Sequence, residues 1–162
     1  MSSEKEKLSE SLKTWLESYL NQKYSKDYDI TVLIPSSNIS KLPDPNIKKN
    51  IKNYGSLEFS PDILGILKEK KNDHAHLILL NRSTSPITLK EIGEMQCYCR
   101  LADPLEAFII SIKGLPQEIN ILLINDPISK SLLNYNNKNI VVFTWDMSSN
   151  TIDPLSTFPL KS

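Results

Sequence analysis

Two runs, L-E-F-S-P-D-I-L-G-I-L at 57–67, which alternates and then turns apolar with Pro61 in its middle, and A-H-L-I-L-L-N at 75–81, are separated by only the polar heptapeptide K-E-K-K-N-D-H. A spacer that short cannot hold a crossover helix, so the runs read as neighbouring antiparallel strands joined by a hairpin. Pro61 has no amide to give a ladder, which implies an edge or a bulge and lifts Asp62 out of regular pairing. A helix follows at once: Thr88 with Glu91 three residues on is a capping box, and Leu89, Ile92, Met95 or Gln96, and Cys99 recur at helical spacing to about residue 101. Residues 58–99 thus place a carboxylate, a hairpin and a capped helix in direct succession.

The flanking segments extend the same alternation. Leu8, Leu12, Trp15, Leu16, Tyr19 and Leu20 form one helical stripe, with Glu4 and Glu6 at its start. Residues 28–34, Y-D-I-T-V-L-I, read as a strand ended by Pro35. The polar segment 36–55 reads as a surface loop with a helical turn after Pro45. It carries the strongest basic run, Lys48, Lys49 and Lys52, as a candidate phosphate-contacting patch. Further on, 106–112 is a buried strand and 128–135 a short amphipathic helix, with a last strand at 139–145. Residues 115–124 fit helix through Pro116-Gln-Glu and strand through I-N-I-L-L-I, and the helix is preferred.

Strands in pairs separated by helices predict an α/β fold, a central mixed sheet flanked by helices. At 162 residues the chain fits one domain, taken as 1–147, with 148–162 as a C-terminal tail or edge extension. The tail's T-F-P-L-K-S can add to a neighbour's sheet or groove.

Composition removes several functions. Lys plus Arg and Asp plus Glu both number 19, so nucleic-acid binding requires a local patch rather than a global field. Only four glycines are present and no phosphate-cradling G-x-x-x-x-G-K-[ST] or G-x-G-x-x-G, which gives no support to a nucleotide cofactor. There is also no G-x-S-x-G nucleophile elbow. His74 and His76 fall on one face of a strand start, a solvent-touching pair before a metal or base pair. Cys97 and Cys99, two apart on a helix, point to different faces and read as buried, reduced thiols without a zinc site. No run of eighteen apolar residues occurs and the first residues are charged, so the expectation is a cytoplasmic protein without a membrane span.

The order helix, strand, strand with P-D-I-L-G, hairpin, apolar strand, capped helix with Q-C-Y, then strand A-F-I-I-S-I-K-G resembles the core of the PD-(D/E)xK, or restriction endonuclease-like, nucleases over residues 8–113. The resemblance implies that fold and makes Asp62 the first metal ligand. It matches Gln96 to the family's helix glutamine, and Glu10 or Glu17 to its optional helix acid. Hydrolysis of a phosphodiester by such a site needs magnesium, held by carboxylates, to generate hydroxide and to neutralise phosphate charge. The departure is at L-I-L-L-N-R, where Leu80 and Arg82, or Leu79 and Asn81 one residue earlier, replace the acid and the lysine.

Three readings follow. The first is a nuclease-like domain without catalysis or cofactor, serving as a DNA-binding or protein-assembly subunit through Lys48, Lys49, Lys52 and Gln96. The second is an active magnesium-dependent endonuclease with a rearranged site of Asp62, Glu94 and Arg82. In it a helix acid substitutes for the missing strand acid; Glu91 is the other helix acid, already explained by its cap. The third is an α/β protein-interaction module without nuclease ancestry. The resemblance also implies a homodimer, since many domains of that superfamily work as dimers.

Overall fold

The computed structural model describes residues 4–83 and 85–158. The chain divides into two compact units, with the boundary between Leu80 and Asn81. Both belong to the α/β class: antiparallel pairing marks the first unit, and parallel with antiparallel pairing the second.

The first unit opens with α1 (Glu4–Tyr24), which packs on β1 (Tyr28–Leu33) and β2 (Ile63–Glu69). Its buried stripe is narrower than the sequence reading: Leu8, Leu12, Leu16 and Leu20 are buried, while Trp15 and Tyr19 are only half-buried. Spacing at i, i+4 alone gives a thin seam, and the two aromatic rings stack on each other beside it at 5.3 Å. β1 pairs antiparallel with β2, Tyr28 opposite Glu69. β2 pairs antiparallel with β3 (Ala75–Ser83), Ile63 opposite Leu80, which is the expected hairpin.

Gly65 is required inside this layer. A Cβ there would lie 2.9 Å from Ile78 Cβ and 3.2 Å from Leu20 Cδ1, so the absent side chain lets the helix and the facing strand close on β2.

The segment between β1 and β2 corrects the surface-loop expectation. Ile39, Leu42, Ile47, Ile51 and Leu57 are buried, and Ile39 and Ser40 amides donate to the Phe59 and Leu57 carbonyls. Isolated apolar residues in a polar string carry no periodicity, so their burial cannot be read from spacing. The helical turn after Pro45 is α2 (Pro45–Asn50), with the Asp44 carboxylate accepting from the Asn46 amide at 2.8 Å.

In the second unit α3 (Leu89–Ala102) begins with the anticipated reciprocal Thr88/Glu91 box and ends at Asp103, whose left-handed φ of 48° lets its amide reach the Cys99 carbonyl. β4 (Glu106–Ser111) runs parallel to β6 (Lys138–Asp146). Between them come α4 (Gln117–Ile124), the helix preferred for the ambiguous segment, and α5 (Asp126–Leu133).

A short strand that the sequence reading missed, β5 (Asn134–Tyr135), turns into β6 through Asn136 and Asn137, both at positive φ. Two consecutive left-handed residues match the sheet's twist, and asparagine tolerates them. Within residues 148–162, for which the sequence admits a tail or an edge extension, β7 (Thr151–Phe158) pairs antiparallel with β6, with a register shift between Val142 and Thr144. No described helix is long and apolar enough to cross a membrane.

Candidate functional site

Asp62 does not sit inside a bulged strand. It lies in a bend one residue before β2, beside a buried Pro61, because the proline ends the preceding segment rather than interrupting a ladder. It is half-buried and engaged by neighbouring groups. Leu79 and Leu80 on β3 are fully buried. Asn81 and Arg82 are half-buried and also engaged.

Glu94 is exposed on α3, and Glu91 is committed to its cap, Oε1 accepting from the Thr88 amide at 3.3 Å. Glu10 is exposed, and Glu17 pairs with Lys13 at 3.5 Å. Among the described residues no group of three or more His, Cys, Asp or Glu side chains is placed to hold a metal ion.

Gln96 faces its own unit: its Nε2 donates to the Asn134 carbonyl at 2.7 Å and the Ser131 carbonyl at 3.3 Å, closing the C-terminal end of α5. Cys99 is buried, and burial pushes its thiol pKa well up, with Lys138 and Asp103 as smaller, opposing influences. Cys97 corrects the expectation of two buried thiols: it is exposed, since a step of two on a helix turns it off the buried face.

The basic residues gather at the hairpin end of the first unit. Lys48, Lys49 and Lys52 are exposed on and just after α2. The end of α2 is fastened to the β2–β3 turn, with Asn50 Nδ2 donating to the Asp73 carbonyl at 2.8 Å and Lys49 Nζ 3.5 Å from Asp73 Oδ2. Lys68 approaches the other oxygen of Asp73 at 3.9 Å. His74 and His76 both face Glu69, at 3.4 and 3.8 Å, as one-face placement requires. Glu69 Oε2 is buried without a hydrogen bond, so the His74 ring is its nearest counter-group.

Beside this cluster the α1–β1 turn and the β2–β3 turn flank a half-open cavity of about 320 Å³, lined by residues 26–28 and 69–72. The Tyr28–Glu69 register sets the two turns side by side. The Lys70 amide donates to the Asp27 carbonyl at 3.0 Å, and its Nζ to the Ser25 carbonyl at 2.8 Å, which holds them there. In the sequence 68–74 reads only as a polar turn. Its lysine density was the available signal, but the partner turn lies some forty residues away in the chain and only strand register joins them.

No family model matches this chain, and no curated protein or solved structure does.

Proposed function

We propose that the chain is a nuclease-like α/β module that has lost metal-dependent cleavage and works as a DNA-binding subunit. The observation that carries the reading is the burial of Leu79 and Leu80 in β3, at the strand positions where the resemblance calls for the second metal-holding carboxylate. A leucine has no oxygen to offer magnesium. The reading is supported by chain order: a helix, an antiparallel hairpin preceded by Pro61-Asp62, and a capped helix follow one another as in the PD-(D/E)xK core that the sequence resembles.

DNA contact is assigned to Lys48, Lys49 and Lys52, which are exposed on and just after α2. Such binding rests on phosphate neutralisation and weakens steeply with salt.

The test is duplex binding by fluorescence anisotropy across a salt series, paired with plasmid cleavage in magnesium or manganese. The expected result is salt-sensitive binding without cleavage, weakened by the double change Lys48→Glu and Lys49→Glu. Cleavage that disappears in Asp62→Ala would overturn the reading in favour of an active endonuclease using Asp62, Glu94 and Arg82.

A second reading, protein assembly through a partner or a homodimer, is favoured by Ile121, Ile124 and Ile128, which are 60%, 54% and 37% exposed on α4 and α5. Light scattering of the purified chain tests the homodimer.

A further inference from the structure

We propose that the cavity between the α1–β1 and β2–β3 turns binds a phosphomonoester group. The first support is that the cavity is framed before any ligand arrives. Lys70 ties the two turns through its amide and its ammonium, and the Glu69 amide donates to the His74 carbonyl at 2.9 Å across the hairpin. Its volume, about 320 Å³, is at the small end of ligand sites and suits a phosphate with one attached ring or chain.

The second support is the charge left over. Three lysines and two carboxylates line the cavity. Glu69 is turned to His74 and His76. Lys70 is held on the neighbouring turn, its amide on the Asp27 carbonyl and its ammonium on the Ser25 carbonyl. Lys26 and Lys71 remain, and neither has an ion pair or a side-chain hydrogen bond among the described residues.

Three ammonium groups against two carboxylates leave the lining one net positive charge, and an anion with several oxygens can engage more than one of these lysines; a phosphomonoester carries roughly −1.5 to −2 at neutral pH. Lysine serves here as a point charge that can reach any phosphate oxygen. The Asn72 side chain at the rim is already engaged, its Oδ1 accepting from the His74 amide at 2.8 Å, which fixes the turn and leaves its amide nitrogen as a further donor. Tyr28 forms the aromatic wall, held edge-on by Tyr24 and His76.

This site does not depend on duplex binding through α2, and the two readings fail separately, since different lysines carry them. The full chain would be titrated with inorganic phosphate, with thymidine 5′-monophosphate, and with a single-stranded oligonucleotide carrying either a 5′-phosphate or a 5′-hydroxyl. Backbone amide shifts and calorimetry are the readouts.

Phosphate-bearing probes are expected to move the amides of Asp27, Lys70, Lys71 and Asn72. Lys26→Ala and Lys71→Ala should each weaken them roughly tenfold, as for loss of one charge-assisted contact, with Lys7→Ala as an unaffected control. Equal binding of thymidine monophosphate and the phosphorylated strand marks a small phosphorylated molecule as the natural ligand; a strong preference for the strand marks a 5′ end. Absence of amide shifts at low-millimolar probe would overturn the proposal. So would full retention of binding in a folded double variant of Lys26 and Lys71.

Discussion

At the C-terminal end of α3 a lysine is fully used, whereas at the hairpin end of the first unit two lysines are left over. Lys138 donates to Asp103 Oδ1 at 2.8 Å and to the Pro104 carbonyl at 2.9 Å, and lies over the Tyr135 ring at 5.5 Å. The Tyr135 hydroxyl donates to the same carbonyl at 3.0 Å, and Asn136 Nδ2 reaches Asp103 and the Arg100 carbonyl. Every strong group there has a partner inside the unit, so the cluster fixes a helix end and a tight turn and has little left to offer a ligand. Lys26 and Lys71 border a hollow instead, with no ion pair or side-chain hydrogen bond among the described residues. The contrast separates lysines that hold the fold from lysines that can recognise something.

The largest expected effect tests how tightly the helix and strand layer behind the hairpin is packed. Gly65→Ala forces a methyl against Ile78 and Leu20 and should destabilise the first unit by about 1–3 kcal/mol in urea unfolding. A neutral result would mean that the layer is loose enough to yield. Next comes Lys138→Met, which keeps the stem but leaves Asp103 with Asn136 as its remaining bond in this cluster; a loss of about 1.5 kcal/mol is expected, from removal of a hydrogen-bonded charge. No loss would erase the distinction drawn above.

Tyr135→Phe should cost less, about 1 kcal/mol, because Lys138 still serves the Pro104 carbonyl. Against these, Lys26→Ala and Lys71→Ala should leave unfolding within about 0.5 kcal/mol of the parent, as exposed substitutions do, while ligand binding falls. A large stability loss would turn them into structural lysines like Lys138.

The smallest effect belongs to a third charged turn. The Ser148 hydroxyl and amide donate to Asp146 Oδ1 at 2.7 and 2.9 Å, and these bonds, with Ser149, hold the carboxyl below the usual aspartate range. A depressed folded pKa gives stability that is present above the unfolded value and lost as pH falls through the folded one. Ser148→Ala should therefore flatten the acid side of the stability profile slightly, and acid titration of unfolding with both proteins checks it.

Much of the fold was legible because its signals are local. The Leu8, Leu12, Leu16 and Leu20 spacing, the Thr88/Glu91 box and the polar spacer between two apolar runs each specify an element through residues close in sequence. The isoleucines of 39–51 were not legible, since single apolar residues in a polar string have no period and are buried only by what packs over them. Asp62 lies one residue before β2 rather than in a bulge within a strand, because Pro61 forbids pairing without saying whether the strand bulges or begins there.

Of the candidate site, the sequence exposed the absence of a strand carboxylate at Leu79 and Leu80, and the lysines of α2. Gln96 shows the limit of motif placement: its amide is spent on the end of α5, a partner thirty-five residues and more away.

What the sequence determined by itself is an α/β chain with a buried hairpin and a capped helix, because propensity, periodicity and capping act within a few residues. What only the tertiary structure decided is which charged groups are spent and which remain. Lys138 and Lys71 are indistinguishable in composition, and both lie next to a tight turn. Strand register and helix packing bring Asp103 and Pro104 to the first, and set the second beside Lys26 across a cavity, so the difference in role arises from neighbours remote in the chain.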